Sequence, residues 1–134
     1  MKRKPKKKSP TWYRKKCVAI AKEEAKKRDK YACQHCPRTK AQGYQMHGNH
    51  IKPEGVYPGL SADEDNIITL CARCHVGGAW KNDSEPSWHE DPLYFADWFE
   101  KKYPGKKQML NELAQSVLHQ VINWEKLYKE IKSL

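Results

Sequence analysis

The stretch that decides the fold runs from Cys33 to His75. It reads Cys33-Gln-His-Cys36, then Met46-His-Gly-Asn-His50-Ile-Lys-Pro53, then Asp65-Asn-Ile-Ile-Thr-Leu-Cys71-Ala-Arg-Cys74-His75. Two Cys-x-x-Cys pairs enclose a histidine-rich segment, with 34 residues between them. Two such pairs supply four thiolates, the usual closed tetrahedral environment of structural Zn²⁺. Cys33, Cys36, Cys71 and Cys74 are therefore the expected zinc ligands. The gap exceeds that of a compact zinc ribbon, so a ββ unit is expected between the pairs.

His75 follows Cys74 directly. Neighbours on a helix point about 100° apart, because a turn holds about 3.6 residues. Cys74 and His75 should therefore not serve one ion, and His75 points to a second site. Candidates to meet it are His47, Asn49 and His50. In a regular strand residues 49 and 50 face opposite sides. Both can serve one site only if the strand ends near them, which Pro53 permits. An imidazole and an amide oxygen suit a divalent cation that keeps open positions for water and phosphate. A histidine free of metal can take a proton from water. The alternative is that these histidines are ordinary polar loop residues.

Working outward, Tyr31–Lys40 reads as a tight knuckle closed by Pro37. Residues 43–47 suit a short strand. Pro53, Gly55, Pro58 and Gly59 make a loop of about ten residues. Asn66–Leu70 is β-branched and suits a second strand, and a helix is expected to begin at the Cys71 pair. The acidic run Asp63-Glu64-Asp65 reads as a solvated loop, with Asp65 turning the chain.

Before the knuckle, Ser9-Pro10 resembles a helix cap followed by a first-turn proline. From Thr11 to Asp29, Tyr13, Cys17, Ile20, Ala21 and Ala25 recur at helical spacing. Beyond the knuckle, Lys81–Glu90 reads as a polar loop, and Asp91-Pro92 starts a helix carrying Tyr94, Phe95, Trp98 and Phe99. From Lys107, the residues Leu110, Leu113, Val117, Val121, Trp124, Tyr128 and Ile131 predict one final helix of about six turns. We expect it to pack on the domain. Pairing with a second copy or another partner protein is the alternative.

Charge is unevenly distributed. The chain of 134 residues carries 26 Lys and Arg against 16 Asp and Glu, a net charge of +10. Residues 1–30 hold 14 basic and 3 acidic residues, and the other 104 hold 12 and 13. The whole excess therefore sits at the N-terminus. Such asymmetry suits a polyanion such as DNA, held through counterion release; a solubilising tail is the bland reading. The expected phosphate contacts are Lys2, Arg3, Lys4, Lys6, Lys7 and Lys8 in the arm. Lys15, Lys16, Lys22, Lys26 and Lys27 continue them along the helix.

No apolar run approaches the roughly 18 residues of a membrane span, and no secretion-signal core is evident. A cytoplasmic protein without disulfides is the expectation, with the fifth cysteine, Cys17, a small buried apolar residue.

His50-Ile-Lys-Pro, Asp65-Asn66-Ile-Ile-Thr-Leu-Cys71 and Cys74-His75 occur in the order and spacing of the HNH, or His-Me finger, endonuclease family. Residues 31–80 resemble its zinc-stabilised branch. The resemblance implies an α+β fold with a ββα-metal core and one catalytic divalent ion (Mg²⁺, Mn²⁺, Ni²⁺ or Zn²⁺). It implies His50 as the base that activates water and Asn66 as the residue that holds the hairpin and orients the base. Asn49 and His75 become metal ligands, with His47 a further candidate. Lys52 and Arg73 are candidate phosphate contacts by proximity. Asn49 departs from the family's usual Asp or His. Small basic proteins of this kind are also similar to those of bacteriophages.

The expected organisation is a disordered basic arm (1–10), a basic amphipathic helix (11–30), the HNH core (31–80) and a helical appendage (81–134). The rival readings are a zinc-stabilised DNA-binding module without catalysis, and an interaction protein acting through its last helix.

Overall fold

The computed structural model describes residues 3, 4, 6–77 and 85–134. Lys2, and residues 81–84 of the expected polar loop, lie outside them.

Helix α1 spans Pro10–Arg28. Ser9 caps it by accepting from Trp12 N at 3.1 Å, and Pro10, which has no N–H to leave orphaned, opens the first turn. Its buried face is Cys17, Val18, Ala21 and Ala25. Ile20 is only partly covered. The helix ends in two anchors to the sheet. Asp29 Oδ2 accepts from Thr69 N at 3.1 Å, and Arg28 Nη2 donates to Ile67 O at 2.6 Å.

The sheet has two antiparallel strands, β1 (Met46–His50) and β2 (Ile67–Cys71). Met46 pairs with Cys71, Gly48 with Thr69 and His50 with Ile67. β1 starts three residues later than the sequence suggests. A 3₁₀ turn capped by Thr39 occupies Lys40–Gln42, and Gly43 follows in the left-handed region at φ 93°, so the chain straightens only afterwards. A two-stranded sheet leaves outer backbone groups to satisfy. Asp29 takes the N–H of Thr69, and Gln34 N donates to Thr69 O at 3.0 Å.

The two faces of the sheet pack differently. Ile67 meets Ala21 and Ala25 of α1. Ile68 and Leu70 join Phe95, Phe99 and Leu110 in the main core. Helix α2 (Ala72–Val76) follows β2 directly, with Cys71 as its N-cap. The order is thus strand, loop, strand, helix: a ββα unit within an α+β fold. Helix α3 (Pro92–Lys102) is capped by Asp91, which accepts from Tyr94 N at 3.0 Å. It inserts Phe95 and Phe99, 0% and 2% exposed.

The expected single C-terminal helix is two helices, α4 (Lys106–Ser116) and α5 (Trp124–Lys132). Asn123 caps α5, its side chain accepting from Lys126 N at 3.0 Å. Such side-chain bonds compete with helix continuation. Val121, placed on the apolar seam by periodicity, is 95% exposed. The break lets α5 fold back on α1, where Tyr128 packs against Trp12 and Tyr13 with centroids 5.5 Å apart. Asp63, rather than Asp65, caps the 3₁₀ turn at Glu64–Asn66. No helix of the described residues is long and apolar enough to cross a membrane.

Gly48 is where α1 comes closest to the sheet. A Cβ there would stand 2.8 and 2.9 Å from Lys22 Cγ and Cβ, atoms near the backbone that cannot swing far. Gly48→Ala should therefore destabilise the fold by about 1–3 kcal/mol, the usual cost of overpacking. Urea unfolding checks this; an unchanged midpoint would mean α1 does not seat as described.

Candidate metal centres and active-site cavity

The first centre joins the knuckle to the β2–α2 junction. Cys33 and Cys36 come from the loop after α1; Cys71 ends β2 and Cys74 lies in α2. Their four Sγ atoms lie within 4.8 Å of one another, and those of Cys36 and Cys71 are 3.7 Å apart. Thiolates about 2.3 Å from zinc form a tetrahedron with edges of about 3.8 Å, so the cluster fits that ion. Four adjacent thiols resist joint ionisation. Hydrogen bonds from Cys33 and Cys74 hold the Cys71 thiol low, while the Cys33 thiol is pushed up to about 11, chiefly by its bond to Cys71. A dication relieves that conflict.

Two side chains support the sulfurs. His35 Nδ1 is 3.2 Å from Cys74 Sγ, and its ring packs on Phe95 and Trp98 with centroids 4.6 and 5.0 Å apart. Arg38 Nη1 donates to Cys36 Sγ at 3.6 Å. His35 thus links the thiolates to α3. Nothing in the sequence marked it beyond its place between the two cysteines.

A separate cavity of about 840 Å³ lies beside α2. Asn49, His50, Lys52 and His75 line it, as do Lys22 and His89. His50 Nε2 is 2.7 Å from the backbone oxygen of Ser61. A carbonyl only accepts, so Nε2 carries the proton and Nδ1 holds the free lone pair. Glu54 Oε2 stands 3.9 Å from Nδ1, too far for a hydrogen bond.

Asn66 is fully buried, and its side chain bonds the loop backbone rather than the His50 ring. Its Oδ1 accepts from Lys52 N at 2.7 Å, and its Nδ2 donates to Lys52 O and Leu60 O, both at 3.1 Å. It clamps the two ends of the loop 51–61, and that loop presents Ser61 O to His50.

His75 meets the hairpin from α2. Its Nδ1 is 2.8 Å from His47 Nδ1, a spacing that fits an imidazole–imidazole hydrogen bond. It also fits two ligands at a right angle on one ion, about 2.9 Å apart for metal–nitrogen bonds of about 2.0–2.1 Å. Burial first, then His89 and His47, holds the His75 imidazolium pKa down at about 4. The ring is therefore neutral at neutral pH, the form that binds metal.

Asn49 is 3% exposed, and its Nδ2 has no hydrogen-bond partner. A buried amide left unsatisfied costs about 1–3 kcal/mol. Because amide O and N are exchangeable assignments, the oxygen can take that position, where a cation would satisfy it. The donors present therefore fit a divalent ion.

The other candidate residues scatter. Lys22 reaches the cavity, and Lys26 is half-buried. Arg3, Lys4, Lys6, Lys7, Lys8, Lys15, Lys16 and Lys27 are exposed. Lys52 Nζ lies 5.3 Å over the Tyr57 ring. Arg73 is 7% exposed and donates to Glu85 O; it does not line the cavity. Sequence reasoning missed His89, which is brought in by the loop before α3, and Ser61, whose contribution is a backbone oxygen.

Residues 33–77, a third of the chain, match the family model for HNH endonuclease. The ββα unit of this segment agrees with that match, and its four clustered thiols are positioned to bind a metal ion. No curated protein and no solved structure matches the chain.

Structural zinc in such sites is worth about 10–16 kcal/mol of apparent binding, as much as the whole stability of a domain, about 5–15 kcal/mol. Cys71→Ser should therefore lose the metal and the cooperative unfolding transition together. Metal analysis and calorimetry check this. A variant that melts like the wild type would remove the structural role of the cluster.

Proposed function

We propose that this protein is a zinc-stabilised, metal-dependent endonuclease that hydrolyses DNA phosphodiester bonds. The observation that carries this is a directed base in a basic cavity. His50 is fixed through Ser61 O with its Nδ1 lone pair free, and Lys22, Lys52 and Lys107 share its cavity. No Asp or Glu is among the described lining residues. Such a cavity suits an anionic substrate.

In this reading His50 Nδ1 takes the proton of a water as its oxygen attacks phosphorus, and the bond to the 3′ oxygen breaks. The products are a 5′-phosphate and a 3′-hydroxyl, the leaving oxygen taking up a proton. The Ser61 carbonyl stabilises the imidazolium that forms, since Nε2–H already points at it. Asn66 keeps that carbonyl in place by clamping Lys52 and Leu60. Asn49 and His75, with His47, would hold the divalent ion, which supplies Lewis-acid stabilisation of charge on the phosphorane and the leaving oxygen. The exposed lysines of the arm and of α1 hold the DNA backbone. Asn49 also favours a second reading, since an amide is a weaker ligand than a carboxylate: a DNA-binding module without catalysis.

Nicking of supercoiled plasmid separates the two. We expect wild-type cleavage with a divalent ion, and His50→Ala to cleave about 10²–10⁴-fold more slowly, the usual weight of a general base, at unchanged DNA affinity. Equal cleavage by His50→Ala, or none by wild type, would leave the binding module standing. α1 carries core residues, so its removal would unfold the protein. Replacing Lys4, Lys6, Lys7 and Lys8 with Gln should instead weaken DNA binding and lower the salt slope by about 0.9 for each phosphate no longer neutralised. An unchanged slope would remove the arm from the interface.

A further inference from the structure

We propose that the apolar part of the cavity, walled by Trp88, receives one unstacked base of the DNA being cut, so that the protein prefers an unpaired or single-stranded nucleotide at the cleavage site over a continuous duplex. This rests on the endonuclease reading above and names its substrate class.

The cavity is lined by two unlike sets of residues. His50, Lys52, His75 and Lys22 form one set. Trp88, Ala96, Phe99 and Leu110, from the turn before α3 and from α3 and α4, form the other. The hydrolysis described above makes no use of the second set. An ion, a water and a phosphate gain nothing from apolar surface, which it is favourable to cover only with another apolar group. The volume of about 840 Å³ falls within the roughly 300–1,000 Å³ of pockets that enclose a drug-sized molecule. That is more room than an ion and a phosphate group require.

Trp88 is fixed through both its backbone and its ring. The last carbonyls of a helix have no partner within it. The turn before α3 takes those of α2: Trp88 N donates to Cys74 O at 2.7 Å, and His89 N donates to His75 O at 3.1 Å. The indole packs on Phe95 and Phe99, with centroids 5.2 and 6.5 Å apart, yet the residue is only half-buried. A braced, partly open indole is a platform for any base, since every base has a π-face. Lys107 and Asn111, about one turn apart on α4 and exposed, share the cavity. The lysine suits an adjoining phosphate, and the amide can both donate to and accept from a base edge.

A continuous duplex cannot meet this wall with the face of a base. Neighbouring bases cover those faces, and only base edges and backbone are offered to a protein. Bringing a base out costs its stacking and pairing, and the cost is least where the nucleotide is mismatched or already single-stranded. The pocket therefore selects such sites.

The test uses the zinc-loaded full chain and labelled probes of equal length: a single strand, an abasic strand that keeps the phosphates without the bases, a paired duplex, and that duplex with one mismatch. Binding is read by fluorescence anisotropy without further divalent ion, and cleavage with it. The wild type should bind the single strand about 5- to 150-fold more tightly than the abasic strand, the worth of stacking one base. It should also bind the mismatched duplex more tightly than the paired one, and cut it faster at the mismatch. Trp88→Ala removes the platform and Ala96→Leu fills the cavity, so both should lose most of these margins, whereas Trp88→Phe should keep them. Trp88 touches the core, so each variant must retain zinc and a cooperative melt; Ala96→Leu carries the test if Trp88→Ala unfolds. If the folded variants keep the wild-type margins, or the wild type shows none, the inference is overturned, and continued nicking of plasmid leaves the nuclease reading standing. If no ion supports cleavage, the nuclease reading fails, while the binding margins and their loss in the variants still uphold the base pocket.

Discussion

The pitch of one short helix governs this domain. α2 has only five residues, and the roughly 100° between neighbours on a helix separates what it carries. Cys71, at its cap, and Cys74 turn to the knuckle and α3. His75 turns to the hairpin, where His47 meets it at 2.8 Å. A helix so short has little stability of its own. It persists because the thiolate cluster anchors one side and the turn before α3 takes its last carbonyls. The thiolate cluster thus positions His75 as well as tying the knuckle to α2.

His50 is positioned by other means. His50 ends β1, and its ring is directed by a backbone oxygen across the loop 51–61. Asn66, at the foot of β2, clamps that loop at Lys52 and Leu60. One strand of the hairpin therefore ends in His50, and the other fixes the loop whose Ser61 O faces its Nε2. In our reading this division lets the catalytic ion bind and leave without disturbing the base.

Much of this was legible in the sequence because it rests on local chemistry. The cysteine spacing marked the thiolate site, Ser9-Pro10 and Asp91-Pro92 marked two helix starts, and the β-branched run at 67–69 marked β2. What periodicity could not show was tertiary choice. Residues 107–131 repeat like one helix, yet Asn123 caps a new one so that Tyr128 can reach Trp12. His89 was hidden for a related reason. It lies in a stretch without periodicity, and only the free carbonyls of α2 bring it to the cavity. Ser61 acts through its backbone, which no side-chain pattern reports. Arg73 looked available for phosphate because it neighbours the cysteines, but its burial directs it to Glu85.

In our reading α2 gives its sulfurs to one ion and its imidazole to another. The most direct measurement is anomalous diffraction at the zinc and nickel edges, from crystals grown with both metals. Two peaks are expected: zinc about 2.3 Å from four sulfurs, and nickel beside the His75 ring on the hairpin side. A single peak at the sulfurs, with the His75 ring bound to no metal, would contradict it.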